Sequence, residues 1–260
     1  MTSQKYNPKV SVIMNCFNGE KYLYKSISSV IGQSYKNWEL IFWDNNSTDN
    51  SKKIFDKFND KRMKYYRSNK YIKLYKARNE AIKKSTGDYI TFIDTDDFWV
   101  KKKIEKHIFF FQKNIKYSLS YSNWFVLNEK KNTKKIFSKM RLPFGNVTQQ
   151  LLNNYVINIG TVMMKKKLFK NYKFNEKFEI IGDFDLFIKL SLKYDFYSIQ
   201  EPLSYYRIHN NNFSNKFKLH ALELNNWLKK NKNFFKRKKI SLFNQSIYLQ
   251  KLRLKNFLSL

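Results

Sequence analysis

The stretch Gly87-Asp88-Tyr89-Ile90-Thr91-Phe92-Ile93-Asp94-Thr95-Asp96-Asp97 decides how this chain is read. Tyr89–Ile93 is a β-branched and aromatic run, introduced by the helix-stopping Ser85-Thr86-Gly87, and predicts a buried strand. Directly past its end stand three carboxylates. The chain carries only 20 Asp+Glu against 51 Lys+Arg, so a local gathering of acids is unfavourable unless a cation offsets their repulsion. A divalent ion with oxygen ligands, Mg²⁺ or Mn²⁺ bridging carboxylate to phosphate, is the simplest such cation. A plainer reading makes Asp96 or Asp97 the cap of a helix near Lys101.

Outward from that stretch, strands and helices alternate. Val10–Asn15 reads as a strand ended by Asn18-Gly19, and Glu20–Ile31 as a helix with Leu23, Ile27, Val30 and Ile31 on one face. Trp38–Trp43 is the second strand, Asn45–Asp49 a polar turn in which Ser47 or Asp49 caps a helix near Asn50, Met63–Tyr66 a third strand and Leu74–Lys84 a helix. This order with short connections predicts an α/β fold with a doubly wound, mostly parallel sheet that places ligands at the carboxyl ends of its strands. Asp44, at the end of the second strand, can accept hydrogen bonds from a ribose hydroxyl or a base N–H. Further on, Lys101–Lys113 and Asp183–Leu192 read as helices, and Tyr117–Leu127 and Thr161–Met164 as strands. Beyond Lys216, Lys and Arg accumulate among Phe, Trp and Leu, with Glu223 the one acid. Residues 1–215 thus form the main domain, and 216–260 a basic, aromatic helical extension packed on it.

Composition bounds the function. In 260 residues, 24 Phe, 18 Tyr and 5 Trp exclude a chain that never collapses, and a single cysteine, Cys16, excludes an intrachain disulfide and suits a reducing compartment. No run approaches the roughly 20 apolar residues of a spanning helix, and Met1–Val10 lacks the apolar centre of a secretory signal. A cytoplasmic protein is expected, with scope for peripheral contact at the inner face of the membrane. The net charge of +31 fits either a polyanionic partner or a codon bias that decorates any fold with lysine. No zinc spacing, aromatic RNA-binding signature or basic region with heptads is present, so no specific nucleic acid is expected. The basic tail admits three readings: ordinary packing helices, a contact with an anionic membrane leaflet, or a grip on a long anionic polymer.

Val10–Asn18 (VSVIMNCFN), Trp38–Asp49 (WELIFWDNNSTD), Ala77-Arg78-Asn79 and Gly87–Asp97, in that order, resemble the N-terminal half of the family 2 inverting glycosyltransferases of GT-A fold. The resemblance continues through Ile181–Leu190 (IGDFDLFIKL) and Tyr205–His209 (YYRIH) and covers roughly residues 8–215. It implies that Phe17 stacks on a nucleotide base, Asp44 binds base or ribose, and Arg78 belongs to the nucleotide half of the pocket. It further implies that Asp94 and Asp96 form the Asp-x-Asp pair, Asp96 binding a metal with Asp97 in support. Asp183 matches the general base, and His209 a histidine that reaches metal or diphosphate. The implied reaction is a one-step displacement at the anomeric carbon of a nucleotide-diphosphate sugar, UDP first among candidates. It needs Mg²⁺ or Mn²⁺ and a glycan or lipid-linked glycan acceptor, as in bacterial surface polysaccharide or lipo-oligosaccharide synthesis. A helix N-terminus would keep Asp183 ionised, while Asp185, about 100° around the helix, takes a structural part. Two departures stand out: Gly182-Asp183 where the family often has Glu-Asp, and Asp44-Asn45-Asn46 in place of Asp-Asp-Gly. Cys16 reads as a small buried hydrophobe, and His107 and His220 as surface or packing residues. Two other functions compete. A nucleotidyltransferase on a related sheet would show a phosphate loop rich in glycine and arginine after the first strand, which Asn15–Gly19 is not. A non-enzymatic polyanion binder would hold nucleic acid without need of Asp94 or Asp96.

Overall fold

The structure is a computed structural model and describes residues 6–210 and 212–258; the first five residues of the Met1–Val10 segment read above lie outside the described residues. Four strands, β1 (Val10–Cys16), β2 (Trp38–Asp44), β3 (Met63–Arg67) and β4 (Tyr89–Phe92), alternate with helices α1 (Glu20–Ile31), α2 (Ser51–Asp56) and α3 (Leu74–Lys83). β1 runs parallel to both β2 and β4, and β2 parallel to β3. The short β5 (Phe98–Trp99) and helix α4 (Lys103–Lys113) lead into β6 (Leu119–Asn128), β7 (Thr133–Ile136), α5 (Thr148–Asn153), β8 (Met163–Lys165), α6 (Gly182–Ser191) and β9 (Phe196–Ile208). The chain then forms α7 (Phe217–Arg237) and α8 (Phe243–Leu258). The sheet has the order β3-β2-β1-β4-β8-β6-β9-β5, with β7 on β6. It is mostly parallel by paired residues; β8, β7 and β5 bring in antiparallel pairings.

Alternation along the strands divides the core. Val10, Val12 and Met14 of β1 meet α1 and α4 on one face, with Leu40 and Phe42 of β2. Ile13 and Ile41 face α3, α6 and the C-terminal helices on the other. A glycine is required at position 87, where a Cβ would stand 2.7 Å from both the Lys9 carbonyl and the Ser11 nitrogen. The two loops that leave β1 and β2 turn on asparagines with positive φ, Asn18 (51°) and Asn46 (66°), a conformation asparagine tolerates better than most residues.

α7 and α8 belong to the same core as the sheet. Trp227, Phe235, Leu249 and Leu252 are buried in it, and Gln245 donates from Nε2 to the Leu152 carbonyl at 2.9 Å. No helix among the described residues is long and apolar enough to cross a membrane.

Candidate active site

A cleft of about 690 Å³ opens where the carboxyl ends of β1 and β4 meet the start of α6. This is the crevice beside the central strand of the parallel half, where such sheets bind ligands. A larger hollow of about 1290 Å³ lies at the other end of these strands, lined by lysines that include Lys83, Lys165 and Lys170, and contains none of the acids singled out above.

The cleft gathers Phe17, Arg78, Asp94, Asp96 and Asp183. The Phe17 ring is 49 % exposed and leans on Tyr71 with ring centres 4.7 Å apart, an aromatic pair open to a flat ligand. Arg78, buried on α3, donates to Asp94 Oδ1 at 2.6 Å. Burial opposes its charge, but Asp94, Tyr75 and Asp183 outweigh that and raise its pKa further. The Arg78 guanidinium is thereby held as a fixed positive charge in the cleft. His209 Nε2 lies 3.0 Å from Asp96 Oδ2. Burial, and next the charge of Asp94, raise the Asp96 carboxyl above its usual range, against the pull of His209.

Asp183 opens α6. Its Oδ1 accepts the Phe184 N–H at 2.8 Å, and the Tyr75 hydroxyl, 2.8 Å from the Ile180 carbonyl, stands 3.2 Å from the same oxygen. Burial raises the Asp183 carboxyl above the ordinary carboxylate range, with Arg78, the Phe184 N–H and Tyr75 pulling the other way. The helix-end donors thus temper a desolvated acid, and a raised pKa suits a group that must take up a proton.

Two expected site residues, Asp44 and Asp97, do not line the cleft in this structure. Asp44 is 0 % exposed and lies beneath the cleft. Its Oδ1 accepts the Ser47 N–H at 2.7 Å, the Tyr65 hydroxyl donates to Oδ2, and Arg67 stands 3.6 Å away. Asn45 lines the cleft in its place. Asp97 is likewise buried and accepts the Arg207 N–H at 2.9 Å. Its carboxyl is pushed well up by burial and then by the Asp96 and Asp94 charges, and its bond to the Arg207 N–H ties β9 to the Asp-rich loop. Among the described residues no group of three or more His, Cys, Asp or Glu gathers as a metal site. Asp96 with His209 fits a metal that takes its remaining ligands from phosphate and water, as Mg²⁺ commonly does.

Several residues that sequence reasoning gave no part in the site complete it. The Asn15 side-chain amide nitrogen and the Tyr155 hydroxyl line the cleft, are buried, and have no hydrogen-bond partner among the described residues. Buried polar groups of this kind are costly unless a ligand satisfies them. Glu223 of α7 accepts the backbone N–H groups of Glu179 (2.6 Å), Ile180 (2.9 Å) and Ile181 (3.2 Å), the segment that delivers Asp183. On the helix itself, Asp185 accepts from Trp227 Nε1 at 2.9 Å, a contact that packs α6 against α7. Gly182, the departure noted in the sequence, has a physical reason: a Cβ there would stand 2.4 Å from the Tyr75 ring. Cys16 is a buried thiol whose pKa burial pushes up to about 11. His107 is fully buried with Nδ1 2.7 Å from the Ser120 hydroxyl.

Comparison with known proteins gives the family and the fold. Residues 11–173 match the family model described as glycosyl transferase family 2. The chain belongs to that family. Among its relatives is the UDP-Glc:alpha-D-GlcNAc-diphosphoundecaprenol beta-1,3-glucosyltransferase WfgD of Escherichia coli, 35 % identical over 166 residues, which are 64 % of this chain and 63 % of that protein. An uncharacterized glycosyltransferase of Methanocaldococcus jannaschii is 28 % identical over 228 residues, 85 % of this chain and 79 % of that protein. The match thus spans less than two thirds of the WfgD length. In fold, the chain is similar to Staphylococcus aureus TarS residues 1–349 in complex with UDP, with a TM-score of 0.67 at 20 % identity over 83 % of this chain and 65 % of that one. The family 2 member therefore has the GT-A architecture, followed here by its two C-terminal helices.

Proposed function

We propose that this family 2 protein is an inverting glycosyltransferase that moves one hexose or N-acetylhexosamine from a nucleotide-diphosphate sugar to a lipid-linked glycan. The observation that carries the reading is the convergence in one cleft of an open aromatic, a fixed arginine, an aspartate backed by His209 and a half-buried carboxyl at a helix start.

The roles follow from chemistry. Phe17 offers a face to the nucleotide base, and Arg78 supplies positive charge toward the phosphates. Asp183 takes the proton of the acceptor hydroxyl as its oxygen bonds to the anomeric carbon. The bond from that carbon to the phosphate oxygen breaks, the nucleoside diphosphate leaves, and the configuration inverts. Mg²⁺ or Mn²⁺ held by Asp96 and His209 would neutralise the departing diphosphate. UDP is the nucleotide to test first, since WfgD uses UDP-Glc and the fold neighbour was solved with UDP. The WfgD acceptor, a GlcNAc-diphosphoundecaprenol, supports a lipid-linked acceptor class. Residues 216–260 act as an extension of the 1–215 catalytic unit.

The test has two stages. Thermal denaturation with UDP, GDP and their sugars, with and without Mn²⁺, should show stabilisation by one nucleotide. Product formation on a diphosphate-lipid-linked GlcNAc should then fall on the order of 10²-fold in Asp183→Asn with donor binding retained. No stabilisation by any nucleotide, or full turnover in Asp183→Asn, would overturn the reading.

A further inference from the structure

Helix α8 has two apolar faces, and only one of them is used by the fold. Leu249 and Leu252 are buried against the core beside Gln245. Phe243, Ile247, Leu254, Phe257 and Leu258 are 40–75 % exposed. At 3.6 residues per turn these five fall within roughly 100° of arc, on the side opposite the buried one. A soluble helix has no use for two Phe, two Leu and an Ile in one exposed stripe.

The charge around the stripe says what covers it. Lys251 and Lys255 flank it on one side and Arg253 on the other. Beside it, the groove between α7 and α8, of about 540 Å³, is lined by Lys229, Lys232, Lys236 and Arg253 together with Phe243. No carboxylate lines that groove. Residues 216–260 carry ten lysines and two arginines against the single acid Glu223, and Glu223 is turned inward onto backbone N–H groups. An apolar stripe bordered by unopposed cations is the pattern of a helix lying in the plane of an anionic bilayer, its apolar side chains among the acyl chains and its cations among phosphates. An apolar protein partner would call for the stripe but not for the basic groove; a soluble polyanion would call for the groove but not for the stripe.

We propose that the outer face of α8 and the adjoining α7–α8 groove form a docking surface for an anionic lipid bilayer. The inference extends the functional reading, which it rests on only for the need to reach a lipid-linked acceptor. The same hairpin braces the catalytic segment: Glu223 of α7 holds residues 179–181 and Trp227 holds Asp185. The enzyme would therefore be held to the lipid surface by the element that supports its base.

The test uses the full chain and sedimentation with vesicles of phosphatidylcholine alone or mixed with phosphatidylglycerol, at low and high NaCl. Affinity for the anionic vesicles should exceed that for neutral ones by about ten-fold or more and fall with salt. The pair Leu254→Ser/Phe257→Ser, which alters exposed side chains only, and the pair Lys232→Glu/Lys236→Glu should each lower that affinity about ten-fold or more. Both should keep the wild-type melting temperature and nucleotide-induced thermal shift. Equal binding to neutral and anionic vesicles, or unchanged binding in both variants, would overturn the proposal. So would a wild-type dimer in sedimentation velocity that Leu254→Ser/Phe257→Ser dissolves without any vesicle binding. Loss of the nucleotide response with vesicle binding intact would strike the glycosyltransferase reading and leave the docking surface standing.

Discussion

Glu223 offers the sharpest test of how the C-terminal helices serve the cleft. It lies 42 residues beyond Ile181, yet its two oxygens hold three consecutive N–H groups, at 2.6, 2.9 and 3.2 Å, just before the helix that carries Asp183. It is 6 % exposed, so water cannot replace it. Hydrogen bonds to a charged acceptor contribute about 1.5–3 kcal/mol each, and a buried donor left unmade costs about 1–3 kcal/mol. Glu223→Gln keeps one acceptor oxygen; facing Ile180 and Ile181 it preserves two weaker bonds and sets an amide N–H₂ against the Glu179 N–H. The expected loss is about 2 kcal/mol, and about 4 kcal/mol for Glu223→Ala, which leaves all three donors bare. Because Glu179, Ile180 and Asp183 line the cleft, a slackened segment should misplace the base. Turnover should fall about ten-fold in Glu223→Gln while affinity for nucleotide, which the proposal gives to Phe17 and Arg78, changes little. Urea unfolding gives the first quantity; steady-state kinetics with nucleotide titration give the second. A Glu223→Gln protein of wild-type stability and turnover would refute the reasoning, and so would a loss confined to nucleotide affinity.

Other outcomes follow from the same geometry. Asp96→Asn should weaken Mn²⁺-dependent nucleotide binding in calorimetric titration, whereas Asp97→Asn, at a buried carboxyl bonded to the Arg207 N–H, should lower the melting temperature with less effect on that binding. Gly182→Ala drives a methyl group into the Tyr75 ring and should cost about 1–3 kcal/mol in urea unfolding, part of it recovered by Tyr75→Leu in the same chain. Glu39 is buried on β2; burial would raise its pKa, but Lys64, Ser11, the Thr86 N–H and Lys9 together hold it far below the usual carboxylate range. Its folded pKa is thus depressed, so its contribution to stability is complete above the unfolded value of about 4.3. That contribution is lost progressively as pH falls below it, and Glu39→Gln should flatten the acid limb of the stability profile. Burial raises the Asp183 carboxyl, so turnover should fall on acidification at a higher pH than an ordinary carboxylate would give, read from the acid limb of the kcat profile.

The parallel half of the sheet was legible because β1, β2 and β4 are short, almost wholly buried runs separated by helices with one apolar face. β1, β2 and β4 lie within a residue or two of their predicted bounds. The second half was harder. β9 carries Gln200-Glu201-Pro202 in its middle, which breaks the strand pattern, and the structure absorbs that break as a shift in its pairing with β6. β7 is Thr-Lys-Lys-Ile, mostly exposed and without a buried face to mark it.

In the site, the acids past β2 and β4 were visible as acids, but their direction was not. Asp44 and Asp97 are consumed by Ser47, Tyr65 and the Arg207 N–H, partners whose approach only the folded loops determine. Tyr75 gave no sign in sequence, and Glu223 stood out only as the one acid of the basic extension, because each acts on a segment far along the chain; the Tyr75 hydroxyl reaches a carbonyl 105 residues away.

The Tyr75 ring standing where a side chain at position 182 would begin has a consequence for acceptor choice. The wall beside Asp183 is built from phenol rings, Tyr75 and Tyr155, instead of a second acid. A sugar entering beside Asp183, as the proposal has it, would meet ring faces at that wall and no carboxylate from position 182. Grafting an acid onto position 182 would first require a smaller neighbour at 75: the two sites exchange together or not at all.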